Sequence, residues 1–261
     1  MTLLKSQDVP GVILAGGKAK PDLQAFTGQT NRALVVVQGK TLLSHVVDAL
    51  QTSEGNRPIT VVGEVPENEN YTRLPDKGDF VSNICAGVSC YAESPYVLIA
   101  TSDLPFLNAE VVQGFVEGAK QLAEQSGAKM VWPVVPVAKC YERFPGVKRT
   151  SIRLKEGDFT GGNLALVRPD FLLTQQQPLA DSYAARKSPL RMAQLLGLGT
   201  LVRLLLSQKV SPNLLTIAFL EARVSRLLGG TARALVCDWV ELATDLDRPA
   251  DFAAVGLEVN R

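Results

Sequence analysis

Short aliphatic runs that end at glycine or acidic residues, separated by amphipathic helical patterns, constrain this chain more than any other feature. Val12 to Ala15 runs straight into Gly16-Gly17. Leu42, Leu43, Val46, Val47 and Leu50 then recur at helical spacing behind Thr41, a residue suited to an N-cap. Ile59 to Val62 reads as a second strand, Phe80 to Tyr91 as a helix, Val97 to Ala100 as a third strand, and Ala109 to Gln125 as a helix capped by Asn108. Strands that alternate with helices predict crossovers into a mostly parallel sheet covered by helices on its faces. Lys129 to Val135 continues in extended form, with Pro133 and Pro136 favouring an edge or a bend. Beyond Cys140 come a basic stretch, a Gly-Gly turn, a strand at Asn163 to Val167 and a largely helical region from about Pro169 to Leu228. Ala232 to Val236 reads as one more strand, followed by a polar loop holding Asp245 and Asp247 and a short helix after Pro249. The last strand looks needed to finish the sheet, which favours one domain over residues 1–261 with a helical insertion at about 169–229.

Composition narrows the chemistry. A chain of 261 residues, 46% hydrophobic and 20% charged, has the make-up of an ordinary globular protein, and its net charge of +1 lacks the positive field that polyanion binding exploits. A small anionic ligand is expected, and no nucleic acid. The four cysteines form no CxxC pair and His45 is the single histidine, so zinc ligand sets are excluded and free thiols expected. Residues 1–9 lack the apolar run of a leader, and the stretch Leu195 to Leu206 is broken by Arg203 and too short to span a bilayer, which together predict a cytoplasmic protein. That leucine-rich stretch reads first as core packing. Its alternatives are a lid, a membrane-surface helix or a dimer contact. Membrane contact is not expected, and a homodimer stays open.

Four constellations could carry chemistry. Leu14-Ala15-Gly16-Gly17, followed by Lys18 and Lys20, offers close backbone approach and positive charge to phosphate oxygens, although neither GxGxxG nor GxxxxGK[ST] is present. Asp103, in Ser102-Asp103-Leu104-Pro105 after an apolar strand, stands where carboxylates of open α/β sheets face the ligand crevice and can hold magnesium. Gly162 and Asn163 open a strand with Lys148, Arg149 and Arg153 upstream, a set able to receive an acceptor's hydroxyls and its phosphate or carboxylate. Asp245 and Asp247 could complete the metal site, while Asp247 could equally cap the helix that starts near Pro249. Plain turns and solvated basic faces account for each of these taken singly. Their order at the ends of separate strands does not follow from that.

This order resembles the nucleotidyltransferases of the molybdenum cofactor guanylyltransferase type, relatives of the sugar-phosphate nucleotidyltransferases. The matching stretches are Leu14 to Gly17, Asn31-Arg32-Ala33-Leu34 through Leu43, Ser102 to Pro105, Thr160 to Asn163, and Asp245 to Asp251. The resemblance implies a three-layer α/β/α sandwich, glycosyltransferase-A-like, with a mostly parallel mixed sheet. It implies a magnesium nucleoside triphosphate whose base and phosphates meet Leu14, Ala15, Gly16, Gly17 and Lys20, with Gly78 and Asn83 lining the base pocket. Asp103 with Asp245 or Asp247 would hold Mg2+, Arg32 and Lys18 would meet phosphate, and Asn163 would face a small anionic acceptor.

The chain departs from the family's usual pattern after the paired glycines. Lys18-Ala19-Lys20-Pro21 and a longer loop to Thr30 replace a small residue, a Ser or Thr and an arginine, and a lysine cannot reproduce the arginine fork. Asn31-Arg32 replaces the usual Pro-Lys. Two alternatives follow: a glycosyltransferase using a nucleotide sugar, for which Asp-x-Asp would stand where Asp-Leu-Pro does, and a nucleotide-binding protein without turnover. His45, on a helix beside Val46 and Val47, reads as structural.

Overall fold

The structure is a computed structural model that describes residues 9–51, 57–185, 191, 195 and 197–257. Residues 1–8 and Leu196, on which the leader and leucine-stretch readings partly rest, lie outside the described residues. The strands are β1 Gly11–Leu14, β2 Val36–Val37, β3 Lys40–Thr41, β4 Ile59–Val62, β5 Thr72–Leu74, β6 Val97–Thr101, β7 Met130–Pro136, β8 Ile152–Leu154, β9 Gly157–Gly161, β10 Leu164–Val167 and β11 Ala232–Val236. The helices are α1 Pro21–Thr27, α2 Leu42–Leu50, α3 Phe80–Ser89, α4 Ala109–Ser126, α5 Val137–Arg143, α6 Pro169–Thr174, α7 Gln176–Ala185, α8 Leu198–Lys209, α9 Ile217–Leu228 and α10 Pro249–Ala254.

Among the described residues nine strands form one mixed sheet, ordered β5-β4-β1-β6-β10-β7-β9-β8, with β11 paired to β7. β1 lies between β4 and β6, parallel to both, and is buried throughout. Its neighbours in sequence project to opposite faces, as strand geometry requires. Ile13, with Leu98 and Ala100, packs under α2 and α4, whereas Val12 and Leu14, with Val97 and Ile99, pack under α3, α6 and α7. The expected sandwich is therefore present, and antiparallel pairs join its parallel half through β10.

The caps read from sequence are in place. Thr41 accepts from the Ser44 N–H at 3.0 Å, and Asn108 accepts from the Val111 N–H at 3.0 Å. Between them they satisfy first-turn donors that a helix leaves free. The stretch around Pro133 is not an edge: β7 pairs with β10 and β9 along one side and with β11 along the other. Pro133, which has no N–H to give, sits where the partner changes from β10 to β9, and its carbonyl accepts from the Gly162 N–H at 2.9 Å. The loop from Lys18 to Thr30 contains a helix, α1, whose Leu23 is buried in a small core with Leu246 and Phe252 from the end of the described chain.

Close contact between α3 and the sheet depends on Gly87, where an added Cβ would stand 2.4 Å from Val12 Cγ1 and 3.1 Å from Val62 Cγ2. Gly87→Ala should lower unfolding free energy by about 1–3 kcal/mol through overpacking, measured by urea denaturation, and trimming Val12 in the same chain should recover part of the loss.

Candidate active site

The glycine loop is fixed from outside rather than by its own residues. Asn31 donates through Nδ2 to the Ala15 carbonyl at 3.0 Å and to the Glu64 carbonyl at 2.9 Å, while its Oδ1 accepts from the Ala33 N–H at 2.9 Å. One side chain thus ties the exit of β1, the exit of β4 and the short turn Arg32–Leu34 together. The Arg32 N–H donates to the Gly17 carbonyl at 3.0 Å, and the Ala19 N–H to the Thr30 carbonyl at 2.8 Å. Among the described residues the N–H groups of Gly16, Gly17 and Lys18 have no backbone carbonyl as acceptor, and the three residues line one cavity. Free backbone N–H groups at a cavity suit anionic oxygens.

Asp103 follows β6 and is buried, and its backbone carbonyl accepts from the Leu246 N–H at 3.2 Å. That bond lays the late loop across the end of the sheet. As a result Asp103, Asp245 and Asp247 each place a carboxylate oxygen within 4.8 Å of the others'. Arg32 reaches into the group, with Nη2 2.9 Å from Asp103 Oδ2 and Nη1 in an ion pair with Asp247. Lys20 Nζ lies 2.5 Å from Asp247 Oδ2. Asp103 Oδ1 is buried with no hydrogen-bond partner among the described residues. A hard cation would satisfy that orphaned atom, so the donor set fits a divalent metal ion. Asp247 does not cap the final helix, because Asp251 accepts from the Asp247 and Arg248 N–H groups instead.

Burial, then the charge of Asp103, raises the pKa of Asp245 above the ordinary carboxylate value, with Arg32 and Arg149 acting in the opposite direction. Arg149 holds the same loop: it donates to the Ala243 carbonyl and, at 2.8 Å, to Thr244 Oγ1.

Two cavities lie near this cluster: one includes its partner Arg32 in its wall, and the other includes Asp245 and Asp247. The first, about 320 Å³, is lined by Leu14, Gly16, Gly17, Lys18 and Arg32 on one side and by Asp76, Gly78, Asn83, Phe80 and Tyr183 on the other. The second, about 810 Å³, is lined by Lys20, Lys148, Arg149, Asn163, Asp245 and Asp247 among others. Leu14, Gly16, Gly17, Lys18, Arg32, Gly78 and Asn83 thus come together, and so do Lys148, Arg149 and Asn163. Arg153 does not join them. It lies on β8, where its backbone N–H and its guanidinium donate to Gln208 of α8 at 3.0 and 3.2 Å. Gly162 serves packing, since a Cβ there would meet Pro133 at 2.7 Å and the Leu242 carbonyl at 3.0 Å. Ala15 lies behind the loop, buried, and Lys20 is held by Asp247 rather than by the first cavity.

Several residues at these cavities carry no signal of their own in the sequence. Asp76 accepts from Asn83 Nδ2 at 2.8 Å and from the Gly78 N–H at 2.9 Å, which organises the wall opposite the glycines. Phe80 and Tyr183 stack with ring centroids 4.5 Å apart at the same cavity, although they are far apart in sequence. His45 stands apart, with Nε2 3.1 Å from the Val37 carbonyl. The four cysteines are free, and burial pushes the Cys237 thiol up to about 11, so thiolate chemistry is not supported there.

Residues 11–209 match the model of the MobA-like NTP transferase domain. A hypothetical transferase of Thermus thermophilus is 34% identical, with 93% of this chain and 99% of that chain covered at a TM-score of 0.74. The structure of a CMP:2-keto-3-deoxy-manno-octonic acid synthetase complexed with CTP shares the fold at 13% identity and TM-score 0.53, with 95% of this chain and 96% of that one covered. A nucleotidyl transferase from Methanothermobacter does so at 15% identity and TM-score 0.52, covering 95% of each chain. No curated protein matches the chain.

Because the pKa of Asp245 is raised on folding, there is a pH range above the ordinary carboxylate value in which the folded protein binds a proton there more readily than the unfolded chain does. Its contribution to stability is present below the ordinary carboxylate pKa of about 4 and is lost as pH rises through the folded value. Asp245→Asn should therefore raise the melting midpoint of metal-free protein at neutral pH, with the gain shrinking towards about pH 4. Thermal melts across that range check it, and equal midpoints at neutral pH would contradict the electrostatic account.

Proposed function

Because the chain belongs to the MobA-like NTP transferase domain family, a family of nucleotidyltransferases, we propose that it transfers a nucleoside monophosphate from a nucleoside triphosphate to a small anionic acceptor, with release of pyrophosphate. The observation that carries this reading is the convergence of Asp103, Asp245 and Asp247 within 4.8 Å, with Asp245 and Asp247 in the wall of a cavity that also holds cationic side chains, and with Arg32 joining the cluster to the cavity of the glycine loop. Two anionic reactants held on either side of such a cluster are what joining a phosphoryl group to an anion requires.

In this reading the N–H groups of Gly16, Gly17 and Lys18 hold the triphosphate in the first cavity, with the base against Gly78, Asn83 and the Phe80–Tyr183 stack. Lys148 and Arg149 orient the acceptor's charged group in the second cavity, where Asn163 can meet its hydroxyls. Asp103, Asp245 and Asp247 would hold the divalent ion, for which we propose magnesium, and when bound it would offset charge on the phosphoryl oxygens. An ionised acceptor oxygen bonds to the α-phosphorus while the bond from that phosphorus to the bridging oxygen breaks, and the electron pair leaves with pyrophosphate. No proton has to be removed from such an acceptor, so the lack of a histidine at the cluster is no obstacle. Arg32, already between the two cavities, neutralises carboxylates in the metal-free protein and is placed to turn its fork onto a phosphate. We read the chain as one such domain, with the helices between β10 and β11 as its insertion, because β11 pairs with β7 in the middle of the sheet.

A thermal-shift panel of the common nucleoside triphosphates, with and without magnesium, tests the site before any acceptor is known. One base should give a magnesium-dependent rise in midpoint that Asp103→Asn abolishes, and with an acceptor in hand the same variant should lower pyrophosphate release at least about 100-fold, a larger loss than outer-shell residues of metal sites usually cause. Hydrolysis of a nucleotide sugar with no response to any triphosphate would transfer the assignment to a glycosyltransferase.

A further inference from the structure

Helix α8 is turned the opposite way from an ordinary surface helix. Thr200 and Ser207 face inward and are buried, with Leu204 of the same stripe half-buried, while Leu198, Val202, Leu205 and Leu206 face outward. Leu198 keeps 69% of its surface exposed and Val210, just beyond the helix, 72%. With Leu214 these are six of the nine large apolar side chains that stand exposed among the described residues, concentrated in one short segment. Core packing, the first reading of this stretch, accounts for its inner stripe alone. A globular protein seldom spends that much apolar surface on water without a partner for it.

The segment that carries this face is basic in sequence. Between Asp181 and Glu221 the sequence holds five basic residues and no acidic one. Lys209 is exposed and falls on the same helical stripe as Leu198, Val202 and Leu205. Arg203 flanks that stripe, with its guanidinium 4.5 Å from the centre of the Phe219 ring and that of Arg223 4.9 Å from it. The acidic groups on the elements packed beside α8 are engaged with the protein. Glu156 accepts from the Ile217 N–H at 3.3 Å, Asp158 lies 3.9 Å from Arg153, and Glu221 accepts from the Ala234 N–H at 2.7 Å. The helix is also firmly seated, since Gln208 accepts from Arg153 and donates back to its carbonyl at 3.2 Å.

We propose that the outward face of α8 with the turn after it is a docking surface for an anionic phospholipid bilayer. Its leucines and valines would enter the boundary between headgroups and acyl chains, and Lys209 and Arg203 would meet lipid phosphates. No helix among the described residues is long and apolar enough to cross a membrane, so the contact is peripheral. A second copy of the chain fits the face less well, because a twofold interface would bring its lysines and arginines against one another.

Cosedimentation with vesicles tests this. The protein should pellet with phosphatidylcholine vesicles containing about a third phosphatidylserine, at least about tenfold more than with phosphatidylcholine alone, and added salt should weaken the binding. The double variant Leu205→Ser/Leu206→Ser should lose it, and Lys209→Glu should reduce it separately, both with the circular dichroism and melting midpoint of the parent. Pelleting no greater than in buffer, or pelleting unchanged in both variants, overturns the proposal. So does a concentration-dependent dimer in sedimentation velocity that the double variant abolishes while vesicles capture neither protein, which would make the face a contact between copies.

Discussion

Three carboxylates within 4.8 Å repel one another, and burial adds to the cost of keeping Asp245 charged. The fold holds them there by a backbone bond from Leu246 to Asp103 and by two cations, Arg32 and Lys20, that enter from the segment after the glycine loop. Much else follows from this constraint. The late loop must reach back across the sheet, Arg149 must hold the Ala243 carbonyl and the Thr244 hydroxyl, and α1 must pack its Leu23 with Leu246 and Phe252 so that the two ends of the site stay together. Burial, and then the charge of Asp103, keeps the pKa of Asp245 above the ordinary carboxylate value despite Arg32 and Arg149.

The same economy is visible in the sheet. β9 and β10 run along one side of β7 as a single strand broken at Gly162-Asn163. At the break the Asn163 N–H donates to the Leu242 carbonyl at 2.7 Å, and its carbonyl accepts from the Thr101 N–H at 3.2 Å. A strand that continued through this point would have paired those groups within the ladder. Interrupting it joins the end of β6, the second cavity and the late loop, at the cost of a glycine that leaves no room for a side chain. Irregular backbone is concentrated where the chemistry is proposed, and the regular ladders on either side keep it in place.

The outward leucines of α8 belong to a different problem. Hydropathy tells how strongly a segment resists water, but not which neighbour relieves it. Here the buried residues of the helix are a threonine and a serine, Leu201 and Leu204 are half-buried, and Leu198, Val202, Leu205 and Leu206 face outward.

The sequence by itself determined the alternation of β1, α2, β4, α3, β6 and α4, because buried strands and amphipathic helices write their periods directly into the order of apolar residues. It also determined the caps at Thr41 and Asn108 and the position of Asp103 after an apolar strand. What it left open depended on partners distant in the chain. β5 is three residues with no apolar run, and it exists because β4 offers an unpaired side. The stretch around Pro133 looked like an edge because a proline lacks a donor, yet the change of partner at that residue lets it sit inside the sheet. Asn31 and Asp76 are common polar residues whose roles are defined only by the carbonyls and amides brought to them. Arg153 looked like a companion of Lys148 and Arg149, and a hairpin sent it to α8 instead. Local periodicity is a property of neighbouring residues, whereas a site is a property of distances between remote ones, and only the tertiary fold fixes those distances.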